Sequence, residues 1–231
     1  MSKSKLIVAL DFSTIEESRL FLDKIRGADC RVKVGKELFT SAGPKIIDLI
    51  NEFEFEIFLD LKFHDIPNTV NKAVKAAAEL GVWMINVHAS GGKRMMMAAK
   101  EALISSNQKP LLTAVTILTS LNNEEFLELG YKASIENQVK KYALLAEESG
   151  MDGIVCSADE IKLIKPFLIN NNFKFVTPGI RPKNYSSNDQ SRIATPENAI
   201  AEGSSFIVVG RPITLSNNPK EVIDLINKET S

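Results

Sequence analysis

Cysteine is scarce in this chain, and the two present, Cys30 and Cys156, stand far apart with no CxxC spacing or Cys/His ligand set around them. That excludes a zinc-finger pattern and a disulfide framework. Two buried free thiols are expected instead, each in an apolar, strand-like stretch. An excess of one charge is also lacking. With 28 Lys+Arg against 29 Asp+Glu the formal charge is −1, so the chain as a whole carries no basic footprint for nucleic acid. No long apolar run is present either. The first, residues 6–10, is far too short to cross a membrane and is closed at once by Asp11, and no small-residue cleavage site of a secretory signal is seen. A cytoplasmic protein with no nucleic-acid or membrane partner is the expectation. The phosphate loop GxxxxGK[ST] and the dinucleotide fingerprint GxGxxG are missing too, as is any zinc pattern, so no metal or other cofactor is expected. No linker, low-complexity tract or repeat breaks the 231 residues, and 1–231 reads as one domain.

What the chain does have is a repeated unit of short apolar run, polar turn and longer helical segment. The runs are residues 6–10, 31–34, 56–61, 83–87, 111–116, 153–156, 173–177 and 205–209. They are brief, rich in Val and Ile and mostly apolar on both faces, as strands buried in a parallel sheet should be. Between them, residues 15–26 alternate apolar and charged positions with helical period. Residues 67–80 start with Pro67 and stop at Gly81, and residues 134–149 are amphipathic and stop at Gly150. Pro44 and Pro196 read as first-turn residues. About eight strand–helix units in so short a chain predict a closed (β/α)8 TIM barrel, with an open doubly wound sheet as the alternative. Residues 178–195 are polar and without period, a length of loop that is usually a functional lid or simply mobile.

Active sites of such barrels lie at the C-terminal ends of the strands. Polar residues gather there: Asp11 after the first run, Lys33 in the second, Asp60, Lys62 and Asp65 at the third, Asn86 and His88 at the fourth. Thr119 follows the fifth, Arg181 the seventh, and Gly210 and Arg211 the eighth. A strand alternates faces, so Asp60 and Lys62 should point the same way, one pleat apart. Side by side in a partly dry mouth, carboxylate and ammonium would hold each other ionised where burial alone would neutralise them. Asp65 could extend the array in its own pocket or a neighbour's. A structural ion pair at the rim of the strand is the alternative.

Asp60-Leu61-Lys62-Phe63-His64-Asp65-Ile66-Pro67-Asn68-Thr69 resembles the signature of the bacterial orotidine 5′-phosphate decarboxylases. Five further segments fall in that family's order and spacing. They are Ala9-Leu10-Asp11-Phe12, Val32-Lys33-Val34-Gly35, Asn86-Val87-His88-Ala89-Ser90-Gly91-Gly92, Thr177-Pro178-Gly179-Ile180-Arg181 and Val209-Gly210-Arg211-Pro212. The resemblance implies a cofactor-free decarboxylase of orotidine 5′-phosphate. In it Lys62 delivers a proton to C6, Asp60 lies by the reacting carboxylate, and Lys33 holds the ribose hydroxyls and the charged network. It further implies Asp11 on the ribose, Thr119 on the pyrimidine and Thr69 among the substrate-binding residues, with Arg181, Gln190, Gly210 and Arg211 on the 5′-phosphate. It also implies a homodimer in which Asp65 enters the partner's site.

Other residues take plainer readings. His64 reads as orienting or packing near the site, His88 as a hydrogen bond to the strand end, and Trp83 as core or interface. Met95, Met96 and Met97 read as core filler with at least one member exposed. Two other functions compete. Magnesium-dependent sugar-phosphate decarboxylases and aldolases related to this family need a metal-binding carboxylate where this chain has Lys33. An inactive phosphate-ligand barrel would be expected to have lost one of Lys33, Asp60, Lys62 and Asp65.

Overall fold

Eight short strands buried on both faces need cover on both sides, and closing the sheet on itself supplies one of them. The structure, a computed structural model, describes residues 3–104, 106–182 and 194–231. The first half runs β1 (Leu6–Leu10), α1 (Ile15–Lys24), β2 (Arg31–Val34), α2 (Lys36–Ala42), α3 (Lys45–Asn51), β3 (Ile57–Phe63), α4 (Pro67–Glu79), β4 (Met84–His88) and α5 (Gly92–Ala102). The second half runs β5 (Leu111–Val115), α6 (Asn123–Glu128), α7 (Ile135–Glu148), β6 (Gly153–Val155), α8 (Ala158–Ile164), β7 (Lys174–Thr177), α9 (Pro196–Glu202), β8 (Phe206–Val209), α10 (Arg211–Thr214) and α11 (Pro219–Glu229). The strands pair in sequence order and β8 closes on β1, all parallel, which is the (β/α)8 barrel and not the open sheet.

The helices start where the local chemistry allows. Thr14 caps α1 in a reciprocal box with Glu17, and Pro67 opens α4 at a position where its missing N–H costs nothing. Pro196 likewise opens α9, whereas Pro44 sits one place earlier than expected, as the N-cap of α3. The larger core lies between strands and helices. Inside the barrel Ile7, Ala9, Phe58, Met84, Val176 and Val208 form a separate cluster. The N-terminal end of the barrel is plugged by Arg31, whose guanidinium lies over Trp83 and Phe206 at 4.3 and 5.2 Å and pairs with Glu56 at 3.0 Å. Trp83 is therefore packing at this end of the barrel, half-buried and edge-on to Phe206. Both cysteines are buried free thiols, and Met95 and Met96 are buried while Met97 is exposed.

One strand departs from regularity, and it is the one that carries the site. Leu59 pairs with Ile85 but Phe63 pairs with Val87, so four residues of β3 run against two of β4. β3 thereby extends two residues past its expected end at Leu61, as a bulge that contains Asp60, Leu61 and Lys62.

Candidate active site

With Ala9 and Phe58 inside the barrel, the alternation of the strands sends Asp11 and Asp60 inward at the next level, and the register pairs Lys33 with both Ala9 and Phe58. The result is a row of alternating charge across three strand ends. Nζ of Lys33 lies 3.2 Å from Oδ1 of Asp11 and 3.4 Å from Oδ2 of Asp60, and Nζ of Lys62 lies 2.6 Å from Oδ1 of Asp60. Gly35 leaves the room for this: a Cβ there would come within 3.1 Å of the Lys33 ammonium.

Lys62 reaches Asp60 by a different route from simple alternation. Its backbone has φ +52°, the left-handed region that a long side chain rarely enters, and the bulge is what turns its side chain back over the mouth. Asn86, buried on β4, ties the bulge together. Its Oδ1 accepts the Lys62 main-chain N–H at 2.8 Å, and its Nδ2 donates to Oδ1 of Asp60 at 2.6 Å. The sequence marks Asn86 only as a polar residue at a strand end, which does not separate this role from an ordinary cap.

Burial alone would push the Asp60 carboxyl up, but the ammoniums of Lys33 and Lys62 and the Asn86 amide outweigh it and hold its pKa below the usual carboxylate value. For Lys33, burial works downward, yet Asp60 and Asp11 outweigh it and raise its pKa above the usual lysine value. Both groups therefore stay charged in a site where water is scarce.

Above the row is a cavity of about 220 Å³ lined by Lys33, Asp60 and Lys62 on one side and by Val115, Ile117 and Thr119 on another. Half-buried Thr119 is thus brought to the same space as the charges. Gly210 borders Asp11, since a Cβ on it would stand 3.6 Å from Oδ2, and Arg211 is the first residue of α10. Arg181 is buried and donates to the Ile180 carbonyl at 2.9 Å. The Arg181 N–H also donates to the Ala194 carbonyl at 2.9 Å, joining the two ends of the 178–195 segment. Gln190 and most of that segment lie outside the described residues.

Asp65 is not in the row. It is exposed past the end of β3, its Oδ1 accepts the Ile66 N–H at 2.6 Å, and among the described residues no ion pair joins it to Lys33 or Lys62. Thr69 is exposed on the same turn, in the first turn of α4. The exposed His64 packs its ring against His88, centroids 5.6 Å apart. No side-chain hydrogen bond from His88 to the strand end occurs among the described residues, so the expected strand-end bond is not seen. Burial first, and then the neighbouring His64, Lys62 and Lys36, push the His88 imidazole down to about 4.

A closed parallel barrel whose strand ends carry paired acids and bases around a pocket has the architecture of a (β/α)8 enzyme. The chain matches, over residues 4–226, the family model described as "Orotidine 5'-phosphate decarboxylase / HUMPS family", and it belongs to that family. It is 53% identical over 225 residues to the orotidine 5′-phosphate decarboxylase of Saccharophagus degradans, covering 97% of this chain and 94% of that one. The enzyme of the same name from Hahella chejuensis is also 53% identical over 225 residues, with 97% and 96% covered. The crystal structure of orotidine 5′-phosphate decarboxylase from Lactobacillus acidophilus superposes with a TM-score of 0.88 at 42% identity, covering 99% of this chain and all of that one.

Proposed function

We propose that this chain removes the carboxyl group of orotidine 5′-phosphate to give uridine 5′-phosphate and CO2, the decarboxylation of pyrimidine biosynthesis. The observation that carries the reading is the unbroken Asp11–Lys33–Asp60–Lys62 row beneath the cavity. Breaking the bond from C6 to the carboxylate leaves an electron pair in the plane of the ring, where the ring delocalises it poorly. A fixed ammonium beside C6 stabilises that charge as it develops and then gives up a proton to it. Lys62 is that group. Asp60 lies by the leaving carboxylate and fixes Lys62 through the 2.6 Å pair.

Lys33 and Asp11 hold the ribose hydroxyls, Thr119 the pyrimidine, and Arg181, Gln190, Gly210 and Arg211 the 5′-phosphate. Support for the phosphate end comes from the adjacency of Gly210 to Asp11, which puts ribose and phosphate groups in order along the mouth. Phosphate binding far from C6 supplies energy to draw the 178–195 segment over the substrate. No cofactor takes part, because Lys33 and Lys62 already neutralise the two carboxylates that a cation would need. The chain acts as one catalytic domain over 1–231, in the cytoplasm, as a homodimer. Thr69 is among the substrate-binding residues, and Asp65 serves the partner's site, a reading supported by its outward position.

The test is loss of the orotate-ring absorbance when purified, EDTA-treated protein meets orotidine 5′-phosphate. An unchanged spectrum overturns the reading. Activity that disappears on exhaustive chelation and returns with magnesium points to the sugar-phosphate enzymes of the same barrel instead.

A further inference from the structure

The bulge in β3 creates a hydrogen-bonding problem that a regular strand would not have. Between the pairs Leu59–Ile85 and Phe63–Val87, three residues of β3 stand opposite Asn86 alone, so the Lys62 amide has no ladder carbonyl in register with it. The same residue has φ +52° and carries the ammonium of the row. A half-buried main-chain N–H without a partner would let the bulge relax, because an unpaired donor costs as much as the strained backbone itself.

We propose that Asn86 is the positioning residue for the reaction: it holds Lys62 on its strained backbone and in contact with Asp60. The proposal rests on the decarboxylase reading for its effect on rate, but not for its geometry. The Asn86 side chain reaches both ends of the bulge at once, accepting from Lys62 N at 2.8 Å and donating to Asp60 Oδ1 at 2.6 Å. The partners fix which end of the amide is oxygen, since a main-chain N–H only donates and an ionised carboxylate only accepts. Oδ1 of Asp60 thus takes two donors, Asn86 and Lys62, which fixes the carboxylate plane as well as its charge. No other side chain of this size does both jobs. Ionised aspartate has no donor and would repel Asp60, and glutamine adds a methylene where Asn86 has no exposed surface. An apolar residue strands both partners.

Asn86 acts through Lys62 and not on the substrate, so its removal should lower kcat and leave binding largely intact. For Asn86→Ala the expected fall in kcat is about a hundredfold, the scale of an ångström-sized misplacement of a reacting group, with KM and uridine 5′-phosphate affinity within about threefold of wild type. Asn86→Asp gives a sharper signature. Ionised, the introduced carboxyl accepts from Lys62 but cannot donate to Asp60. Protonated, it does both, so kcat should climb as pH falls over a range where the wild type does not. Rates of Asn86→Ala near wild type, or an Asn86→Asp variant with a uniform loss at every pH, would overturn the proposal. Should Asn86→Ala fail to fold, the isosteric Asn86→Asp carries the test alone. Hydrogen exchange at the Lys62 amide reads the pin without any turnover: slow in the wild type, faster in Asn86→Ala or in Asn86→Asp at high pH. Free exchange in the wild type overturns it. A wild type inactive on orotidine 5′-phosphate would sink the functional reading while this exchange measurement still decides the pin.

Discussion

Nζ of Lys62 lies 2.6 Å from Oδ1 of Asp60, and the backbone of Lys62 takes φ +52° to bring it there. A non-glycine residue in that region costs on the order of 1–3 kcal/mol, and such strain persists only where the surroundings enforce it. Replacing Lys62 by alanine removes the proton donor and the charge that stabilises the carbanion, without touching either hydrophobic core. Turnover should fall by at least about a hundredfold, since general acids contribute roughly 10²–10⁴, while the thermal melt stays cooperative. A folded variant that keeps a tenth of the wild-type kcat, roughly one decade above this expectation, removes Lys62 from its role.

That row of charges was largely legible in the sequence, for a physical reason. A strand buried on both faces is apolar throughout, so Asp11, Lys33, Asp60 and Lys62 stand out as soon as the apolar runs are aligned. The barrel itself was legible on the same grounds, with strand starts off by one residue at Ile57, Met84 and Phe206 and the end of β3 off by two at Phe63. The bulge was not. Period-two alternation puts Lys62 on the same side as Asp60, the right outcome by the wrong route. The bulge and not the pleat brings the two together, and nothing in Asp60-Leu61-Lys62 signals two extra residues against β4. Asn86 was noted as a polar strand-end residue, but its role was missed for the same reason, because its partners exist only once the register has slipped. The outward turn of Asp65 depends on the path after β3, which sequence pattern leaves open.

Acid reaches His88 at a higher pH than it reaches the carboxylate of the row. The lowered pKa of Asp60 contributes stability at every pH above the ordinary carboxylate value, and this is lost only as pH falls through the lower folded value. Lys33, raised, contributes below the ordinary lysine value and loses it only as pH rises through the higher folded one. Between those limits Asp60 and Lys33 stay charged and neither sets the acid limb of kcat/KM, which should follow the substrate phosphate, with its second pKa near about 6. His88 is depressed from 6.5 to about 4, chiefly by burial, so between those values the unfolded chain binds a proton that the folded chain does not. Its share of stability therefore drops as pH falls from 6.5 towards about 4. Urea midpoints measured near neutrality and at about pH 5 should fall further for wild type than for His88→Gln. Equal falls would mean that His88 takes up its proton in the folded state as readily as in the unfolded one.

Arg211, at the start of α10 beside Gly210, should act through the phosphate. One charge-assisted hydrogen bond is worth about 1.5–3 kcal/mol, so Arg211→Ala should lose about ten- to a hundredfold in kcat/KM on orotidine 5′-phosphate. On a substrate lacking the phosphate the loss should be much smaller. The measurement is the ratio of the two. A ratio near unity places Arg211 elsewhere.

Asp65 offers the test of a shared site. It lies beyond the end of β3, exposed, bonded to the Ile66 N–H and flanked by Ile66, itself 66% exposed. A carboxylate turned outward beside an exposed apolar side chain suits a position that a second copy covers. Lys62→Ala and Asp65→Ala should each be nearly inactive alone. When the two are mixed and exchange subunits, a mixed dimer holds one site lacking both residues and one lacking neither, because each site borrows Asp65 from the other chain. Random exchange of equal amounts makes about half of all dimers mixed, so activity should recover to roughly a quarter of wild type per site. That fraction comes from counting alone and does not depend on how strongly either residue acts. If mass labelling confirms exchange while activity stays at the level of the single variants, Asp65 serves its own barrel and the site is not shared.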